Sequence, residues 1–259
     1  IDMNVVMITG ASSGIGMEFA LQMDNYFDTI DEFWLIARSR EHLEEVAKVM
    51  LHKTRIISMD ITDAKKQEAL EDLMIEKNAI VRVLVNAAGF GIMGPFSEQE
   101  RMTAQDMIRL NCEALTLLTH RILPFMRRNS RVIQIASSAA FLPQPDFAVY
   151  AATKAYVLSF SRALGEELRD AGIYVTSVCP GPVDTPFFDI AEKTGTTLSI
   201  KKYTMVSPER VVALALKDSY HKRSMSVCSL PIKYFQCLAK TVPHELLLKA
   251  TGLLKKKGF

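Results

Sequence analysis

Short runs of β-branched and apolar residues alternate along the chain with longer stretches whose apolar positions recur every three or four residues. The short runs at 5–9, 33–37, 55–58, 81–86, 131–136 and 174–179 read as strands. Several are apolar throughout rather than at every second position, the pattern of parallel strands covered on both faces. The longer stretches at 14–25, 40–51, 64–77, 103–127, 148–171 and 208–219 read as helices. Ser207 before Pro208 supplies a helix start, a capping residue followed by proline in the first turn. A last strand is predicted at 225–230. The segment 187–206 has weak periodicity and reads as a mobile substrate loop or short helix. Sustained strand–helix alternation predicts the α/β class, with a doubly wound parallel sheet flanked by helices on both faces.

The chain has 259 residues, 49% of them hydrophobic, which fits one domain spanning 1–259 with a sizeable core. A net charge of +2 gives no field that points to nucleic acid. The basic excess is local: Lys240, Lys249, Lys255, Lys256 and Lys257 stand against Glu245 alone in the last twenty positions. Cys112, Cys179, Cys228 and Cys237 form no C-x-x-C pair, so reduced thiols and a cytoplasmic location are the simplest expectation. The histidines show no metal-ligand spacing. The longest stretches without a charged residue, 3–17 and 83–97, contain glycine turns and are too short to span a membrane. No leader pattern opens the sequence.

Candidate chemistry begins where the first strand ends. Thr9-Gly10-Ala11-Ser12-Ser13-Gly14-Ile15-Gly16 lets the backbone turn sharply against a pyrophosphate, and the following helix offers that anion its unpaired N–H groups. Alone, such a loop is also an ordinary strand-to-helix turn. Dinucleotide sites often carry a carboxylate at the end of the second strand, where it binds the ribose hydroxyls. Here the strand ends Ala37-Arg38-Ser39-Arg40. Arg38 is suited to a 2′-phosphate, with Arg40 as a second contact, so NADP(H) is expected over NAD(H). Tyr150 and Lys154 stand one helical turn apart on one face. An adjacent ammonium lowers a phenol's pKa and fits the pair for acid–base work.

Asn86-Ala87-Ala88-Gly89 follows the fourth strand, Asn111 lies in a long helix, and Ser137-Ser138 follows the fifth strand. Pro180-Gly181-Pro182-Val183-Asp184-Thr185 follows the sixth. With the glycine loop and Tyr150/Lys154, this order resembles the short-chain dehydrogenase/reductase family, from about Val5 to Phe187. The resemblance implies a Rossmann fold and hydride transfer between nicotinamide and a carbonyl or alcohol. It implies Tyr150 as acid/base, Lys154 as ribose ligand and tuner of the tyrosine, and Asn111 as holder of a proton-relay water. It implies Gly10, Ser12 and Ile15 at the phosphates, with Ser13, Gly14 and Gly16 in the same loop, and Asp60 and Ile61 at the adenine. Asn86, Ala87, Ala88 and Gly89 would line the adenosine side. Pro180, Gly181, Val183 and Thr185 would hold the nicotinamide. For the substrate serine, usually the second of the pair in the family, Ser138 is preferred because the strand end fixes its direction, whereas the loop 141–147 is free to be one residue shorter. Ser137 stays open, since it, not Ser138, stands 13 positions before Tyr150, the family's usual interval.

In relatives the tail, 227–259, shapes the substrate pocket, which suggests an apolar substrate. Leu246, Ala250, Leu253 and Leu254 share a helical face that is expected to cover the core or a neighbouring subunit; contact with a membrane surface is the weaker reading. The family implies a homodimer or homotetramer. The alternative to an enzyme is a catalytically silent NADP(H)-binding sensor, which would not need the full Asn, Ser, Tyr and Lys set.

Overall fold

A computed structural model of the chain describes residues 2–197 and 204–256, with the backbone alone described for 251–256. The strands are β1 (Met3–Thr9), β2 (Glu32–Ala37), β3 (Thr54–Ser58), β4 (Ala79–Asn86), β5 (Arg131–Ile135), β6 (Tyr174–Val178) and β7 (Met225–Ser226). The described helices are α1 (Gly14–Asp24), α2 (Arg40–Val49), α3 (Ala64–Glu76), α4 (Arg101–Ile108), α5 (Leu115–Ile122), α6 (Ala148–Glu167), α7 (Phe187–Ala191), α8 (Pro208–Tyr220), α9 (Leu230–Thr241) and α10 (His244–Lys256). The strands form one parallel seven-stranded sheet in the order β3-β2-β1-β4-β5-β6-β7.

Successive residues of each central strand enter different cores. Val6, Ile8, Leu35, Val85 and Ile133 meet Phe19 of α1, Leu43 of α2 and Val211 of α8 on one face. Val5, Met7, Trp34, Ile36 and Val132 meet Leu70 and Met74 of α3, Leu118 and Ile122 of α5 and Leu164 of α6 on the other. Both faces are covered, so the strands are apolar throughout. Each such side chain contributes roughly 1.5–3 kcal/mol on burial.

Three elements differ from expectation. The helix expected at 103–127 begins at Arg101 and is interrupted by a π-helical turn, Arg109–Ala114, before α5. It closes on a 3-10 turn, Leu123–Phe125, in which Pro124 cannot supply a helical N–H bond. The strand expected at 225–230 stops at Ser226; Ser229, at φ 89°, turns the chain, and Pro231 opens α9. In α10 it is Leu247 and Leu248 that are half-buried, while Leu246 and Ala250 face solvent. Leu253 and Leu254 lie outside the described side chains. Part of the expected loop 187–206, residues 198–203, also lies outside the described residues; its start folds as α7. Among the described residues no helix is long and apolar enough to cross a membrane.

The strand order reverses between β1 and β4. Their C-terminal ends therefore part helices that run to opposite faces, which opens a crevice there.

Candidate active site

That crevice is a cleft of about 880 Å³. Its floor is the loop from Gly10 to Gly16. Gly10 has a φ of +66°, and a Cβ there would lie 2.8 Å from the Ala88 nitrogen. A Cβ on Gly16 would meet the Gly10 oxygen at 2.2 Å. Both positions therefore require glycine, and the backbone is left bare to a ligand. Ser13 precedes α1 without capping it through its side chain, and no carboxylate occupies the first turn. The N–H groups of that turn thus remain available to an anion. Thr9 fixes the loop from beneath: its hydroxyl accepts the Ala87 and Ala88 N–H groups at 3.1 and 3.2 Å.

Arg38, Asp60, Ile61 and Thr62 line one end of the cleft. Arg38 is exposed at the end of β2. Arg40 is instead engaged by Glu44 at 2.8 Å and does not line the cleft. Burial would raise the Asp60 pKa, but bonds from the Thr62 N–H and hydroxyl, with Arg38 and Lys66 nearby, hold it below the ordinary value. Ala87, Ala88, Gly89, Pro180, Gly181, Val183 and Thr185 complete the walls. These residues fit a nicotinamide dinucleotide: a bare phosphate cradle, a polar end with a guanidinium, and an opposite end carrying titratable groups.

At that opposite end Tyr150 and Lys154, both over nine-tenths buried, reach the cleft from one face of α6. Tyr150 stacks on Phe147 at 4.2 Å and meets Phe187 at 5.4 Å. A Cβ on Gly91 would strike its ring at 2.5 Å, so Gly91 makes room for the tyrosine. Burial pushes the Tyr150 pKa up to about 12, opposed by a hydrogen bond with the Ser137 hydroxyl. Burial pushes Lys154 down to about 8. Its Nζ donates to the Ile135 carbonyl at 2.8 Å and lies 5.6 Å from the Tyr150 ring centre. The thiols beside it, Cys112 and Cys179, are raised by burial, Cys179 to about 11, and offer no counter-charge at neutral pH. In the chain itself burial outweighs the Ser137 hydroxyl, so the tyrosine is raised rather than lowered as expected.

Asn111 sits in the π-turn, behind the cleft wall. Its Nδ2 donates to the Phe90 carbonyl at 2.8 Å and the Thr153 hydroxyl at 3.0 Å, and its Oδ1 accepts the Phe90 N–H at 3.1 Å. Thr153 in turn donates to the Tyr150 carbonyl at 2.7 Å. Asn111 thus braces the strand-end loop against α6.

Two placements differ from the sequence reading. Both serines line the cleft, and it is the Ser137 hydroxyl, not the preferred Ser138, that tempers the Tyr150 pKa. Ser138 is already inside a 3-10 turn, Ser138–Ala140, whose cap is Ser137. Asn86 does not line the cleft: its side chain is buried and donates to Thr119 at 2.9 Å. The sequence reading overlooked Gly91 and Thr153. A glycine beside a strand end hinted at the first; the second stands one position before Lys154, with no motif to mark it.

The profile of the family described as short chain dehydrogenase matches residues 4–194. The chain belongs to this family. It is an oxidoreductase of the NAD(P)-dependent kind. The 17-beta-hydroxysteroid dehydrogenase type 3 of Rattus norvegicus is 27% identical to it, over 98% of this chain and 77% of its own. Among solved structures, a short-chain dehydrogenase of Sphingobium yanoikuyae in complex with NADPH matches with a TM-score of 0.76 at 24% identity, covering 98% of this chain and 96% of its own. A short-chain dehydrogenase/reductase of Burkholderia phymatum in complex with NAD gives 0.78 at 20% identity, covering 92% of both chains. Neighbours of this fold hold either dinucleotide, so discrimination between the two rests with individual side chains.

Proposed function

We propose that this chain interconverts a ketone or aldehyde and the corresponding alcohol, with NADP(H) preferred and Tyr150 as the acid/base. The observation that carries this reading is Tyr150, buried at the cleft one helical turn from Lys154, with Ser137 and Ser138 lining the same cleft. Bound nicotinamide supplies or accepts the hydride. Tyr150, with a pKa near 12, is protonated at neutral pH, the state needed to donate to a carbonyl oxygen. Ser137 orients that oxygen with a second hydrogen bond. Lys154 would hold the ribose, its ammonium stabilises the phenolate left when Tyr150 gives its proton to the carbonyl oxygen, and water returns that proton to the phenolate. A sensor has no use for a proton donor, which favours the enzyme over the silent alternative.

Phe147, Phe187, Phe188, Met93 and Ala139 pack around the tyrosine, and this apolar wall supports an apolar carbonyl substrate. The hydroxysteroid dehydrogenase relative agrees with that class. Exposed Ile108, Leu117 and Tyr156, on α4, α5 and α6, support self-association through those helices.

Arg38 supports the choice of NADP(H). A panel of apolar ketones and aldehydes, followed at the nicotinamide absorbance, should reveal turnover with NADPH and a weaker response with NADH. A charge-assisted contact contributes roughly 1.5–3 kcal/mol, so Arg38→Ala should cost about 10- to 100-fold in NADPH affinity and leave NADH nearly untouched. Equal affinity of the unaltered enzyme for the two cofactors overturns the assignment.

A further inference from the structure

We propose that α9 and α10 form a docking surface for an anionic lipid bilayer. Two observations carry the proposal: a row of exposed apolar side chains, and a local excess of lysine around it. On α9 the outward row is Leu230, Tyr234 and Cys237, at i, i+4 and i+7. Leu230 is 80% exposed and Tyr234 68%, and Leu246 on α10 is 57% exposed. Large apolar groups at such exposure on adjacent helices lose free energy in water and gain it at a headgroup boundary, where tyrosine is especially at home.

Charge selects the partner. From Leu230 to Lys256 the sequence holds Lys233, Lys240, Lys249, Lys255 and Lys256 against Glu245 alone. Lys233 and Lys240 flank the apolar row, both exposed, and among the described residues neither is in an ion pair. Basic side chains bordering an apolar stripe match anionic headgroups over acyl chains. Protein–protein contact surfaces, by contrast, are depleted in lysine.

The inner face of α9 is tied to the cleft. Ile232 packs on Gly181, so closely that a Cβ there would lie 2.7 Å from its Cδ1, and Phe235 meets Phe141 with ring centres 6.3 Å apart. Gly181 lines the cleft. Lipid docking through the outer face therefore rests on the element that walls the catalytic crevice. The surface itself is independent of the reaction proposed above, and its test needs no turnover.

The test is sedimentation of the full chain with phosphatidylcholine vesicles, with and without phosphatidylserine. The chain should sediment with the phosphatidylserine vesicles, remain free of the neutral ones, and be released by raised salt. Leu230→Asp with Tyr234→Asp should weaken sedimentation by at least about tenfold, and Lys233→Glu with Lys240→Glu by a similar factor. Circular dichroism melts of both variants should overlay the unaltered chain. The charge pair keeps every apolar contact, so its loss of binding reads electrostatics alone. Absence of the chain from the phosphatidylserine pellet overturns the proposal. So does sedimentation of both variants equal to that of the unaltered chain, or a fall in mass of the aspartate variant in sedimentation velocity without lipid, which would make this face a contact between copies.

Discussion

The two ends of the sheet treat buried ionisable groups in opposite ways. At the end where the strands begin, Glu32 is 1% exposed and fully paired: Arg55 at 2.8 and 3.1 Å, Lys53 at 2.6 Å and the Trp34 indole at 3.0 Å. Asp24 nearby accepts the backbone N–H groups of Leu51 and His52 and faces the His52 ring at 2.8 Å. Burial would raise both carboxyls, yet the donors win and hold both below their ordinary values. At the end where the strands finish, Tyr150 and Lys154 are also buried but, among the described residues, not paired with a counter-charge, and burial pushes each toward its neutral form. Ionisable groups at one end are spent on holding the fold. At the other they keep protons that can be exchanged, which is the signature of a working site.

The largest effect should come from the unpaired end. Tyr150→Phe keeps the ring and its stacking on Phe147 but has no proton to give. General acid catalysis typically contributes about 10²–10⁴-fold, so turnover should fall by at least that lower figure while NADPH still binds. A variant running at more than a tenth of the normal rate, with its fold intact, would falsify the acid–base assignment.

Next comes the paired end. Glu32→Gln leaves Arg55 and Lys53 without their carboxylate. Breaking a buried pair costs about 3–5 kcal/mol, and the lower part of that range applies because Lys53 is solvent-exposed and can recover water. Urea denaturation should show the loss, with turnover per folded molecule unchanged. The pH dependence follows. Glu32 and Asp24 have folded pKa values below the ordinary values of 4.5 and 3.8. Their stabilisation is present above those unfolded values and is lost as pH falls through the lower folded ones. The Gln variant should lose part of the acid slope that the unaltered chain shows below about pH 4.5. An identical acid limb in both would remove Glu32 from the comparison.

How much of this was legible in the sequence depends on the kind of signal. The strands were legible because both faces are buried and every position had to be apolar, as in Val5–Val6–Met7–Ile8. The glycine loop, Tyr150 and Lys154 were legible because backbone clearance and helical spacing are local properties. The π-turn at Asn111 was not, because one extra residue in a turn leaves the polar–apolar pattern nearly unchanged. Nor was the pairing of Glu32, which joins residues on different strands, nor the balance that raises Tyr150, which depends on how completely Phe147 and Phe187 exclude water.

The serine pair gives a smaller effect and sharpens the unpaired end. Ser137→Ala removes the hydroxyl that tempers the Tyr150 pKa and should lower turnover by at least about tenfold with NADPH affinity nearly unchanged. Ser138→Ala should be milder, because its hydroxyl is not among the groups acting on the tyrosine. The reverse order would mean that substrate is held by Ser138.

The smallest effect is the most direct test of the contrast, because it asks whether the active end costs stability. Lys154 has a folded pKa of about 8 against 10.5 in the unfolded chain. Between those values the unfolded chain binds more protons than the folded one, so stability rises with pH across that window. Below about pH 8 the penalty for burying the ammonium is present in full, offset in part by the bond to the Ile135 carbonyl. Lys154→Met fills much the same volume without charge. It should therefore raise stability by about 1 kcal/mol at pH 7, flatten the rise toward pH 10, and abolish most turnover. Urea midpoints of the two proteins at both pH values read the difference directly. A methionine variant less stable than the lysine at pH 7 would show that the lysine is already compensated within the folded chain. The two ends of the sheet would then be alike in how they hold charge.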